Sequence, residues 1–330
     1  MAVARTSPPG TEEAIVGGSI FPLVTFMLLV AIGVAVLAVV STPSPTPADG
    51  IEGPAAPQPP LGTRSAQRAR RHLDRTTVLA WLSFAAATGL SWLLVLTTGP
   101  AAGVVAALAP AAVGTLFLLV HLLGEVTWPR PTGLVRRATL RPRRTRQVIG
   151  TGLATWSGAL AALLTVLLLA GGLTADADGR TVSRTWSDGS AAAGPYPGWP
   201  YAVPLLGATA VVVLLTALVL RLVVLRAAVD DAHERDDLAL RRSSAARVLA
   251  GAQLVLGLTC AGLLLVAGLS IRSIGGAPYD TSMPSGGALT VIGTVLALMA
   301  PTLGLTSAVV AVVALARSGA RPATTGEADG

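Results

Sequence analysis

His121 and Glu125 stand four residues apart in the stretch HLLGEVTWPRPTG. On a helix that spacing puts both side chains on one face. An imidazole beside a carboxylate can relay a proton or bind an ion, and ionisable groups held within a membrane mark such paths. The pair is too small on its own to hold a divalent metal. The competing reading is interfacial: Glu125 pairs with Arg130, His121 reaches toward headgroups, and Trp128 marks the boundary depth.

Two further places carry chemistry-bearing residues. In the run DDAHERDD, Asp230, His233, Glu234 and Asp237 would share a helical face, and an oxygen-rich cluster can take Mg²⁺ or Ca²⁺. Against this, Arg226–Asp230, Asp231–Arg235 and Asp237–Arg241 are all spaced i, i+4. That spacing predicts a solvated helical continuation of the apolar segment before it, laced by ion pairs. The loop 173–200 ends in GPYPGWPY, where prolines and glycines around Tyr196 and Trp199 make a stiff aromatic turn. Such a loop is a candidate site for a ligand or an extracytoplasmic partner; equally, Trp and Tyr gather at membrane interfaces. Asp176 and Asp178 precede Gly179 as in a calcium loop, but the later acidic ligand is missing.

Several chemistries have no motif here: there is no phosphate-binding glycine loop, no G-x-S-x-G, no H-E-x-x-H and no C-x-x-C. The one cysteine, Cys260, excludes an internal disulfide and a cysteine zinc site, and its apolar surroundings make it a small buried hydrophobe. No cofactor and no metal is expected, and no residue is assigned a catalytic role.

The elements that carry these residues are strongly apolar. The chain has 330 residues, 52% hydrophobic and only 12% charged, with a mean hydropathy of +0.67. A soluble domain carries roughly a quarter charged residues. Seven segments, 20–41, 77–98, 101–125, 149–172, 201–225, 248–271 and 288–316, each supply the roughly 20 apolar residues a spanning helix needs. None alternates as a barrel strand would. The predicted fold class is all-α, a polytopic transmembrane helix bundle of about seven spans.

The basic residues set its orientation. All 24 are arginine, and neither lysine nor asparagine occurs, a bias in keeping with a GC-rich genome. Four (Arg5, Arg180, Arg184, Arg272) fall on one side of the alternating spans and the rest on the other. Arginine accumulates in cytoplasmic loops, so the N-terminus is expected outside and the C-terminus inside. The segment before residue 20 has Glu12 and Glu13 and a lone Arg5, a poor signal-peptide start, so the first helix is expected to be retained.

The expected organisation is an external N-terminus and first helix (1–41), then a cytoplasmic linker, proline-rich and then arginine-rich (42–76). A six-helix body (77–316) and a cytoplasmic tail (317–330) follow. Six helices could form a three-plus-three inverted repeat, although the halves share no sequence echo. Gly150, Ala154, Gly158 and Ala162 form a small-residue stripe expected to bring another helix close. Pro110 and Pro301 are expected to kink their spans, and Gln253 to hydrogen-bond a neighbouring helix. Arg136, Arg137, Arg141, Arg143, Arg144 and Arg146 belong to a loop expected to bind anionic headgroups. Stacking aromatics are absent there, which argues against nucleic acid. The expected partners are the bilayer and other membrane proteins.

The segment HLLGEVTWPRPTG, the arginine-rich loop after it and AGPYPGWPYAVPLL together resemble a group of multi-pass membrane proteins of high-GC Gram-positive bacteria. The likeness covers most of residues 76–275. It implies a location in the bacterial plasma membrane and lends no activity, so no residue role follows from it. Two functions are therefore carried forward. The first is a non-enzymatic component, either a transporter-like bundle or an accessory subunit of a membrane complex. The alternative is a membrane-embedded enzyme acting on a lipid or lipid-linked substrate, with His121 and Glu125 as acid–base groups and arginines on the phosphate. A sensor using the 173–200 loop ranks third.

Overall fold

A computed structural model describes residues 61–98, 102–129, 148–187, 189–226, 234–276 and 286–319. They form six helices: α1 (Leu61–Thr97), α2 (Ala102–Val126), α3 (Thr151–Thr174), α4 (Trp199–Leu225), α5 (Glu234–Gly275) and α6 (Gly287–Gly319). Between α3 and α4 lies a short hairpin, β1 (Val182–Trp186) and β2 (Gly189–Ala193). Each helix is long and apolar enough to cross a membrane. The first apolar segment (20–41), the proline-rich stretch, and the loop with Arg136, Arg137, Arg141, Arg143, Arg144 and Arg146 lie outside the described residues. So do Asp230, His233 and the tail beyond 319.

The distribution of side chains matches a hydrocarbon solvent. Leu96, Leu123, Leu173, Leu214 and Leu298 face outward, while Thr77, Ser244, Gln253 and Ser307 are buried inside. In water that arrangement would expose a continuous greasy surface. In a bilayer the outward leucines are solvated, and polar groups must find partners within the bundle. The six helices are compatible with an integral membrane protein.

α5 is the hub. In its most apolar stretch 56% of residues are buried, against 22–33% in the other five helices. α6 runs along it, α2 and α3 also pack on it, and α1 rests chiefly on α2. The α5–α6 seam depends on small residues. Gly286, Gly293, Ala300 and Ser307 recur every seventh position and all are buried. Gly268 and Gly293 meet back to back, so a Cβ on either would strike the facing backbone, and one on Gly257 would strike Ser307.

Several expectations need correction. In the expected stripe Gly150, Ala154, Gly158, Ala162, all but the half-buried Ala154 are exposed among the described residues, and a Cβ at Gly150 or Gly158 would have nothing within 4 Å. The inner face of α3 is instead Ser157, Leu160, Leu164 and Leu168, roughly a third of a turn round from Gly158. The heavier side chains carry the packing there. Residues 61–76, assigned to a linker, are helical and continuous with the span, because Ala69 and Leu73 bury against Trp128 and Leu240. The acidic run does not prolong the helix before it: α4 stops at Leu225 and α5 starts at Glu234. Pro110 and Pro301 lie inside α2 and α6, the helices expected to bend at them. The β-hairpin was not anticipated.

Candidate functional site

The helices alternate in direction, so one pole gathers the start of α1, the end of α2, the end of α4, the start of α5 and the end of α6. The sequence places arginines and carboxylates at each of these junctions, and the fold brings them together.

Arg241 is the most deeply held. Its Nε donates to Asp237 Oδ2 at 2.7 Å. Nη1 donates to the carbonyls of Val223 and Val224 at 2.8 Å each, and Nη2 to that of Arg226 at 2.7 Å. The carbonyls at the end of a helix lack intrahelical donors and carry its negative dipole end. One guanidinium on α5 thus closes the terminus of α4. The sequence had placed Asp237 and Arg241 on a solvated face; both are buried.

Arg226, one residue past α4, extends the network. Its Nη1 lies 3.5 Å from both carboxylate oxygens of Glu125 and donates to Ser244 Oγ at 3.1 Å. Its guanidinium carbon sits 3.8 Å over the Trp128 ring, a cation–π placement that suits a weakly hydrated cation. Arg247 joins α5 to α1, donating to Thr77 Oγ1 at 2.8 Å and to Asp74 Oδ1 at 3.2 and 3.3 Å. Its Nε reaches Ser318 Oγ at 3.4 Å, and Ser243 donates to the Ser318 carbonyl at 3.0 Å, tying in α6. Three arginines thus meet three carboxylates. Two of the pairs are buried, and pairing is what a poorly hydrated charge requires, while Asp74 opens to solvent.

His121 and Glu125 share the inner face of α2, as their spacing predicts, but they serve different neighbours. Glu125 pairs with Arg226, just past α4; Arg130, its expected partner, lies outside the described residues. His121 is 3% exposed, which overturns the reading in which it snorkels to headgroups. Its ring meets Phe117 edge-on at 4.7 Å, and Phe117 makes edge contacts in turn with Trp81 and Phe84. Its Nε2 is buried with no hydrogen-bond partner among the described residues. Gly124 lets α1 approach between the two: a Cβ there would strike Thr76, and the Gly124 carbonyl accepts a hydrogen bond from His72 Nε2 at 2.9 Å.

No protein-family model matches this chain, and no curated protein or solved structure matches it either. The site therefore stands on its own chemistry. Among the described residues no three His, Cys, Asp or Glu side chains come together as a ligand set.

The opposite pole is nearly neutral. Tyr196 is buried, its hydroxyl 2.7 Å from Thr174 Oγ1 and its N–H donating to the Arg180 carbonyl at 2.8 Å. Trp199 is half-exposed and leans on Gly172, and the Pro197 carbonyl presses on Gly171. The candidate aromatics Tyr196 and Trp199 thus hold the loop to α3, and Ser270 of α5 donates to the Pro195 carbonyl at 2.8 Å. β1 and β2 pair antiparallel from Val182↔Ala193 to Trp186↔Gly189. The turn before them, at Gly179 with φ +66, is held by Asp178. Its Oδ1 accepts from the N–H groups of Arg180 and Thr181 and from the Thr181 hydroxyl. These bonds, the Arg180 N–H first, hold the Asp178 carboxyl below its usual range.

Midway between the poles, Gln253 accepts from Trp156 Nε1 at 3.2 Å and donates to the Ser307 carbonyl at 2.8 Å. It thus bridges α3, α5 and α6, as a lone intramembrane amide should.

Sequence reasoning missed Asp74, His72 and Arg247 as parts of the site. Each reads as one more charge in a basic stretch. The available signal was position: all three lie within a turn or so of the point where the apolar pattern starts, a depth at which a charge must find a partner.

Proposed function

We propose that the chain is a non-enzymatic component of a bacterial plasma membrane, a transporter-like bundle or an accessory subunit of a membrane complex. It crosses the bilayer seven times, N-terminus outside, with the ionic pole in the cytoplasm. One observation carries the choice: His121 and Glu125, the best acid–base pair in the sequence, are engaged in packing and in an ion pair with Arg226. A general acid or base must reach its substrate; these groups reach neighbouring helices. The arginine bias supports the orientation, and the resemblance to multi-pass proteins of high-GC Gram-positive bacteria supports the location.

The test is purification of the full chain in mild detergent, with mass spectrometry of co-purifying proteins and lipids, beside the Glu125→Gln variant. A stoichiometric membrane-protein partner retained by wild type and variant alike is the expected result. A lipid-linked compound that accumulates on the variant would favour instead the enzyme acting on a lipid or lipid-linked substrate. Labelling of cysteines placed within 130–146 checks the orientation, with reaction from the cytoplasmic side expected.

A further inference from the structure

Beside the neutralised network lies a concave surface whose charge is not neutralised. Arg68, Arg71, His72 and Arg75 on α1 face Thr127 and Pro129 beyond α2 across an open groove of about 480 Å³. Positions 68, 71, 72 and 75 follow one helical face. The three guanidinium groups are exposed, and none forms a salt bridge among the described residues. The carboxylate nearest in sequence, Asp74, is held by Arg247. His72 is fixed by the Gly124 carbonyl and by its edge contact with Trp128, so it forms the floor. Like charges a turn apart repel, and here they are held apart by a helix that is itself anchored through Ala69 and Leu73.

The groove sits where the apolar part of α1 begins, level with Trp128, at the depth of a membrane interface. Guanidinium forks bind the oxygens of a phosphate through several hydrogen bonds at once. Nucleic acid would want stacking aromatics in the groove, and the lining supplies only the histidine of its floor.

We propose that this groove seats a phosphate group, carried by an anionic phospholipid headgroup or by a soluble phosphate compound. The lipid source rests on the membrane reading above; the phosphate chemistry does not. The test uses delipidated full-length protein titrated with phosphatidylglycerol, phosphatidylcholine and inorganic phosphate, binding being followed by native mass spectrometry or tryptophan fluorescence. The triple variant Arg68→Gln/Arg71→Gln/Arg75→Gln is compared with Arg317→Gln, which removes an exposed charge at the same pole. Each basic residue near an anionic surface contributes about fivefold in affinity, so the triple variant is expected to bind on the order of a hundredfold more weakly. Arg317→Gln is expected to change little. Loss of phosphatidylglycerol alone identifies a lipid; loss of inorganic phosphate alone, or of both, identifies a phosphate site open to soluble compounds. Unchanged binding of both in a triple variant that melts like wild type overturns the proposal. An equal loss in Arg317→Gln also overturns it, since bulk charge would then suffice. A chain that stays monodisperse without detergent would sink the membrane reading while leaving the phosphate arm decisive.

Discussion

The two poles of this bundle solve the same problem with different materials. At both, helices end and leave backbone carbonyls or N–H groups without partners. The arginine-rich pole closes them with charge: Arg241 caps α4, while Arg226 and Arg247 bind α2, α1 and α6 to the same centre. The hairpin pole is held by uncharged groups, through Tyr196 on Thr174, Ser270 on the Pro195 carbonyl and proline against glycine, while the Ala175 N–H closes the end of α3 on the Gly171 carbonyl. Charged locks are strong only when complete, since breaking one leaves a buried ion without its partner. Neutral struts fail singly and mildly. The lesson is that one pole is all-or-none and the other is graded.

The largest effect should come from breaking one charge at the locked pole. Arg241→Met leaves Asp237 unpaired and opens the carbonyls of Val223, Val224 and Arg226, and should cost about 3–5 kcal/mol. Thermal unfolding in detergent, followed by tryptophan fluorescence, would read it. Adding Asp237→Leu should restore part of the loss; a double variant no better than the single would undo the argument from unpaired charge. Next is the α5–α6 seam. Gly268→Leu forces bulk against the backbone near Gly293 and should cost about 1–3 kcal/mol. Gly158→Leu, on the open face of α3, should stay within about 0.5 kcal/mol, and a large loss there would reveal a partner on that face.

Smaller effects belong to the graded pole. Tyr196→Phe removes one hydrogen bond and should cost about 0.5–1.5 kcal/mol, because Thr174 keeps its bond to the Ala170 carbonyl. If it matched Arg241→Met, the contrast between poles would collapse. The smallest signal is in pH. Asp178 has its carboxyl lowered in the folded chain by the Arg180 N–H. A depressed acid stabilises above its unfolded pKa and loses that contribution as pH falls through the folded value. Hydrogen exchange in residues 176–193 should therefore be constant from neutral pH down to the ordinary aspartate range, once corrected for intrinsic rates. Protection should weaken only below it, and in Asp178→Ala it should be weaker at neutral pH, the two proteins converging as the wild-type carboxyl protonates.

The helices were plain in the sequence because hydrocarbon demands long uninterrupted apolar runs, and 101–125 or 149–172 can be little else. Their ends were less plain. Nothing in the composition of residues 61–76 says helix until Ala69 and Leu73 find Trp128 and Leu240. The face shared by His121 and Glu125 follows from helical geometry, yet their partners do not: Arg226 lies about a hundred residues from Glu125. The stripe on α3 stays largely open among the described residues, because small residues permit close approach without compelling it. The period of seven in Gly286, Gly293, Ala300 and Ser307 was equally visible and marks a real seam. Only the facing glycines of α5 distinguish the two.

That seam also divides the molecule mechanically. Where Gly268 meets Gly293 the two main chains leave no gap that an acyl tail could enter, so α5 and α6 travel as one stiff beam. α1 leans mainly on α2 and is tethered to the beam chiefly near its own start, by Arg247. Swelling or thinning of the surrounding lipid would therefore be taken up along the leucine-rich outer joints, with the beam as the fixed frame against which the other helices breathe.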